Sequence, residues 1–133
     1  MTTTTGVEMY REHILEHYRS PRNFGTLDPA DITHREDNPL CGDDIGIDVR
    51  LAGERIVEIR FHGQGCAISQ ASASLLTEDV KGKSLGEVRR LDKSRVLELL
   101  AIPISPVRTK CALLALDVLQ GGIKARDAGP KRA

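Results

Sequence analysis

Three cysteines and one aspartate are the residues of this chain that could do chemistry. Cys66 lies in Phe61–Ser74, FHGQGCAISQASAS, where strand-like alternation gives way to a helical run of small residues. A helix beginning there points its free backbone N–H groups and positive dipole end at the sulfur. A thiol so placed ionises more easily and is a better metal ligand or nucleophile. Cys41 and Asp43 sit in DNPLCGDD, Asp37–Asp44, whose turn formers predict a tight, exposed loop. Cys111 belongs to an apolar stripe with Val107, Leu114 and Val118, about one turn into a predicted helix.

Three thiolates and a carboxylate are suitable donors for tetrahedral zinc, and thiolates equally suit iron–sulfur clusters. Around a divalent cation that set leaves two negative charges, which a buried site must compensate. Arg108 and Lys110 flank Cys111, and helix N-termini add partial positive charge. The spacing is not the paired C-x₂-C of a zinc finger. A carboxylate is also a harder, weaker partner in a sulfur-rich site, which suggests a position that can be given up. Read by number alone, the three cysteines could equally be unrelated core residues, since free Cys is often buried.

For the four residues to meet, the chain must fold around them. Ile45, Ile47, Val49 and Leu51 alternate with polar or small residues, Ala52–Arg55 turns, and Val57, Ile59 and Phe61 alternate again. This predicts a hairpin. Its open end places the loop of Cys41 and Asp43 beside Cys66, although the two cysteines are 25 positions apart. Val7, Tyr10, Ile14 and Tyr18 mark a first helix, ended at Ser20-Pro21, and Asp31–Glu36 could form a short edge strand. From Ala67 a helix runs to Gly82. Ser84 with Glu87 forms a capping box, and Asp92 caps a further short helix. Ser105 and Pro106 open the last helix, which Gly121-Gly122 is expected to stop. His13, His17, His34 and His62 read as solvated, with a ligand or proton carrier as the alternative for His62, while the Gly63-Gln64-Gly65 run permits positive φ and close backbone approach.

A chain of 133 residues with no tryptophan suits one domain with an aliphatic core. Zero net charge gives no argument for a nucleic-acid or anionic-membrane partner. No apolar run approaches the roughly 18–20 residues of a membrane span, and MTTTTG is unlike a signal peptide. A cytoplasmic, reducing location is expected, where three cysteines favour metal or sulfur chemistry over a disulfide. No G-x-S-x-G elbow accompanies the serines after Cys66, which sets a hydrolase aside.

NPLCGD (Asn38–Asp43), GQGCAISQASAS (Gly63–Ser74) and PVRTKC (Pro106–Cys111) resemble the IscU/SufU/NifU N-terminal family of iron–sulfur cluster assembly proteins. YREHILEHYRSPRNFG (Tyr10–Gly25) and VKGKSL (Val80–Leu85) agree. The likeness covers residues 8–122, leaving 1–7 as a disordered start and 123–133 as a mobile tail. It implies an α+β fold in which a small antiparallel sheet packs against helices. It also implies that Cys41, Asp43, Cys66 and Cys111 are ligands of Zn²⁺ or of a [2Fe–2S] cluster. Sulfur would arrive as a persulfide from a cysteine desulfurase and pass on to apo iron–sulfur proteins or downstream assembly factors. Cys41 is then the expected sulfur acceptor and Arg108 the residue that steadies its charge. Lys110, where IscU scaffolds carry histidine, and Cys66-Ala67-Ile68-Ser69, without their extra glycine, look like SufU. The chain nevertheless lacks the insertion that SufU proteins carry before the last cysteine motif. Two roles follow from the resemblance, a zinc-dependent sulfurtransferase or a scaffold on which the cluster is built.

Overall fold

The structure is a computed structural model that describes residues 6–39 and 42–128, with residues 6–10 described by backbone alone. In chain order it has α1 (Gly6–Arg19), β1 (Ile32–Asn38), β2 (Asp43–Ala52), β3 (Arg55–Gln64), α2 (Ala67–Val80), α3 (Leu85–Arg89), α4 (Lys93–Leu100) and α5 (Pro106–Ala128). The three strands form one antiparallel sheet in the order β1-β2-β3. This is the expected α+β fold. The hairpin pairs Ile47 with Phe61 and Val49 with Ile59, and these four side chains are fully buried. At its open end Asp44 pairs with Gln64, which brings the start of β2 against the start of α2. The ambiguous stretch before it becomes a seven-residue edge strand, β1. Among the described residues no helix is long and apolar enough to cross a membrane.

α2 is the central helix, packed by α1, α5, α4 and β3. Ten of its fourteen residues are buried, among them Ser69, Ser72, Ser74 and Thr77. Small side chains allow neighbours on every side, and the hydroxyls must then find partners inside. Ser69 Oγ donates to the Cys66 carbonyl at 3.1 Å, and Thr77 Oγ1 to the Ser74 carbonyl at 2.9 Å. Ser72 Oγ donates across to the Ala112 carbonyl of α5 at 2.6 Å. Ser74 Oγ accepts the Arg22 N–H at 2.8 Å and lies 2.7 Å from Nδ1 of His17.

The expected caps form. Ser84 and Glu87 close a reciprocal capping box, and Asp92 accepts the Ser94 N–H. The expected stop at Gly121-Gly122 does not occur, and α5 runs on to Ala128 with Ile123 in the core. The reason is close packing against β1. A β-carbon at Gly121 would lie 2.8 Å from Glu36 Oε2, and one at Gly122 would lie 2.9 Å from Ile32 Cγ2. These glycines therefore remove side chains where helix and strand touch. α1 already begins at Gly6, inside the stretch 1–7 expected to be disordered, and residues 1–5 and 129–133 lie outside the described ones.

The histidines are more engaged than solvated residues would be. His34 Nε2 pairs with Glu36 at 2.9 Å, and His62 Nε2 lies 3.3 Å from Asp48 Oδ1. His13 packs edge-on to His17, which is only 3% exposed. Burial first, then the charges of Arg22 and His13, lower the pKa of His17. A neutral ring can accept the Ser74 hydroxyl at Nδ1, locking α1 to α2. Below about pH 6.5 the unfolded chain takes up a proton at this position that the native ring declines. Stability is therefore expected to fall from that pH down to the lowered native value. Urea denaturation across pH 5–8 should show a steeper acid loss for the wild type than for His17→Gln. Equal slopes would mean that His17 is protonated in the native fold.

Candidate metal centre

The hairpin end, the α2 N-terminus and the second turn of α5 meet at one place. The potential donor atoms of Asp43, Cys66 and Cys111 there all lie within 4.8 Å of one another. Two thiolates bonded to one tetrahedral zinc are about 3.8 Å apart, given Zn–S bonds of about 2.3 Å. The spacing and the donor set, two sulfurs and a carboxylate oxygen, therefore fit Zn²⁺ with little rearrangement. Cys41 lies outside the described residues. The segment it belongs to is bounded by Asn38 and Asp43, which are register partners across β1 and β2. The Gly42 N–H donates to the Asn38 carbonyl at 2.8 Å.

Each of the three gathered residues has an identifiable local cause. Cys66 is the N-cap of α2, with extended backbone at φ −73° and ψ 171°, and its thiol makes no capping bond. Its sulfur is half-buried, at the positive end of a fourteen-residue helix. Asp43 differs from expectation. It is not on an exposed loop but is the first residue of β2, 1% exposed. Its Oδ1 accepts the Cys66 N–H at 2.9 Å, satisfying a donor that the helix start would leave open. Its Oδ2 stands 3.9 Å from Cys66 Sγ. Cys111 is fully buried on the inward side of α5.

The glycines act as expected at this point. Gly63 has φ +105°, and a β-carbon there would run into the Asp44 carbonyl. A β-carbon at Gly65 would meet Ser69 Oγ and lie 2.7 Å from Asp43 Oδ1. Arg108 is exposed on the first turn of α5, its backbone N–H held by the Ser105 carbonyl at 3.0 Å. Its guanidinium has no partner among the described residues. Lys110 is also exposed and lines a cleft of about 240 Å³ with Asp37, Asn38 and Asp117.

Sequence reasoning weighed the serines of α2 as small residues and as hydrolase nucleophiles, not as partners of the thiol. The signal it passed over is their phase, since Ser69 and Ser72 follow Cys66 at successive intervals of three. Ser69 Oγ indeed lies 3.9 Å from Cys66 Sγ.

Sheet, helices and donor cluster together define a small α+β domain built around a sulfur-rich pocket at the open end of a hairpin. The chain belongs to the NifU-like N terminal domain family, whose model matches residues 9–132. It is 31% identical to the zinc-dependent sulfurtransferase SufU of Bacillus subtilis over 138 residues, covering 91% of this chain and 93% of that protein. That alignment is longer than the 133-residue chain, so the SufU protein carries residues this chain lacks. It is 38% identical to the iron-sulfur cluster assembly scaffold protein IscU of Haemophilus influenzae, covering 86% of this chain and 92% of that one. Among solved structures it resembles a putative SUF-system scaffold protein of Fervidobacterium islandicum, at TM-score 0.73 and 26% identity over 84% of this chain and 94% of that one.

Proposed function

We propose that this protein serves iron–sulfur cluster assembly in the reducing cytosol, accepting sulfur from a cysteine desulfurase as a zinc-dependent sulfur carrier. The observation that carries this reading is the meeting of Asp43, Cys66 and Cys111 within 4.8 Å. The names of the SufU and IscU relatives supply the chemical context.

In this reading Cys66, Cys111 and Asp43 would hold Zn²⁺, with Cys41 as the fourth ligand. When bound, the ion keeps its thiols deprotonated and adds no redox chemistry of its own. Cys41 is the sulfur acceptor. Its thiolate attacks the outer sulfur of the donor's persulfide, so that a new S–S bond forms to Cys41 as the donor's S–S bond breaks. The donor leaves as a thiolate, the proton of the terminal S–H stays with the transferred sulfur, and no external oxidant or reductant is needed. Arg108, exposed on the first turn of α5 and without a guanidinium partner among the described residues, would steady the negative charge of the attacking Cys41 thiolate. Apo iron–sulfur proteins or later assembly factors then receive it.

The experiment is transfer of labelled sulfur from a desulfurase, together with metal analysis of the protein as purified. Zinc near one equivalent is expected, with sulfur loading that disappears in Cys41→Ser. Full loading of Cys41→Ser would remove the assignment. The likeness to IscU, higher in identity than that to SufU, supports a second reading in which the same residues hold a [2Fe–2S] cluster as cargo. Anaerobic reconstitution that gives a stable sulfur-to-iron charge-transfer spectrum would favour that scaffold role.

A further inference from the structure

The two thiols that the structure gathers come from different helices, Cys66 at the start of α2 and Cys111 within α5. Something must fix how far α5 slides along α2. α2 and α5 pack against each other, and both carry fully buried small residues, Ala71 and Ala73 on one and Ala112 and Ala115 on the other. The hydrophobic attraction that drives such burial is non-directional. A directional contact adds to it. Ser72 Oγ donates to the Ala112 carbonyl at 2.6 Å, with both residues out of solvent.

That bond is a choice, because a helical serine can satisfy its hydroxyl on its own helix. Ser69 and Thr77 do so, each bonding a carbonyl three residues back. Ser72 instead reaches the carbonyl of the residue that adjoins Cys111. A carbonyl has two lone pairs, so Ala112 can accept this bond and still serve the ladder of α5.

We infer that Ser72 is a positioning residue, whose hydroxyl on the Ala112 carbonyl sets the axial register of α5 against α2 and with it the separation of the Cys111 and Cys66 sulfurs. The inference rests on the proposed metal-site reading and adds to it the device that holds two of the ligands in step.

The test is titration of the metal-stripped protein with Co²⁺, whose thiolate charge-transfer and d–d bands report ligand geometry. Outer-shell partners of metal sites are worth about 10- to 100-fold in affinity. Because Ser72 acts through the backbone, Ser72→Ala is expected at the low end of that range, about tenfold weaker, with shifted d–d bands. Ser72→Thr, which keeps the hydroxyl, should restore the spectrum. Leu119→Val, a destabilised control in the α5 core, should keep wild-type affinity and bands. Wild-type behaviour of a folded Ser72→Ala overturns the inference, as does Leu119→Val reproducing its effect. Should Ser72→Ala not fold, Ser72→Thr and Ser72→Val, which match in shape and differ in the hydroxyl, make the same comparison, and equal affinity and bands in that pair overturn the inference as well. A wild-type chain that takes up no cobalt overturns the metal-site reading and this inference with it, which separates the two failures.

Discussion

Cys111→Ala is expected to weaken Zn²⁺ or Co²⁺ binding by about two to three orders of magnitude while leaving the metal-free fold intact. Structural zinc sites bind with about 10–16 kcal/mol in total, or about 3 kcal/mol for each of four ligands. At about 1.4 kcal/mol per decade that is roughly a 10²- to 10³-fold loss. Against this, the packing cost is small. Cys111 is fully buried, but removing a single sulfur atom from a core is worth about 1 kcal/mol. The two contributions are separable by denaturing wild type and variant with and without a chelator. The gap between the two proteins should widen by about 3 kcal/mol when metal is present. An equal gap under both conditions would show that Cys111 is only a core cysteine, the reading its apolar stripe also permits. Cys66→Ala is expected to be as costly for metal, but cheaper for the stripped fold because Cys66 is half-buried.

The sequence made the site more legible than its walls. The alternation of Ile45–Leu51 and Val57–Phe61 predicted the hairpin. The hairpin in turn predicted that Asp43 would meet Cys66, and it does, although a register shift at Arg50/Leu51 buries Ile56 and leaves Val57, expected inside, 45% exposed. The phase of Val107, Cys111, Leu114 and Val118 predicted an inward stripe, and it holds for Cys111, Leu114 and Val118 but not for Val107, which is 78% exposed. What otherwise failed was reading a residue type without its neighbour across space. Asp43 follows turn formers and so looked exposed, yet it is buried because an open N–H of α2 needs its oxygen. Gly121-Gly122 looked like a helix stop, but glycine ends a helix only where positive φ is required. Here it serves close packing on Ile32, His34 and Glu36. His17 looked solvated because its partner, Ser74, is 57 residues away. Each of these errors concerns a polar or minimal side chain whose partner lies on a different element.

Gly65→Ala is expected to do more damage than its one added carbon suggests. The β-carbon would lie 2.7 Å from Asp43 Oδ1 and 3.1 Å from its Cγ, and would collide with Ser69 Oγ. Neither neighbour is a loose surface end, since Asp43 is 1% exposed and Ser69 is fully buried. Room can come only from moving the carboxylate, which breaks its bond to the Cys66 N–H, or from forcing Ser69 off the Cys66 carbonyl. A lost hydrogen bond to a charged group costs about 1.5–3 kcal/mol and overpacking about 1–3 kcal/mol, so a loss of about 3–5 kcal/mol is expected. Metal binding should fall with it, because the displaced oxygen is one of the three gathered donors. Gly53→Ala supplies the contrast. Its φ is +63°, but a β-carbon there would meet nothing within 4 Å, so only backbone strain of about 1 kcal/mol is expected. Denaturant unfolding and cobalt titration of both variants should separate the cases. If Gly65→Ala is no less stable than Gly53→Ala and keeps wild-type cobalt affinity, the carboxylate is not held against the α2 start in the way described.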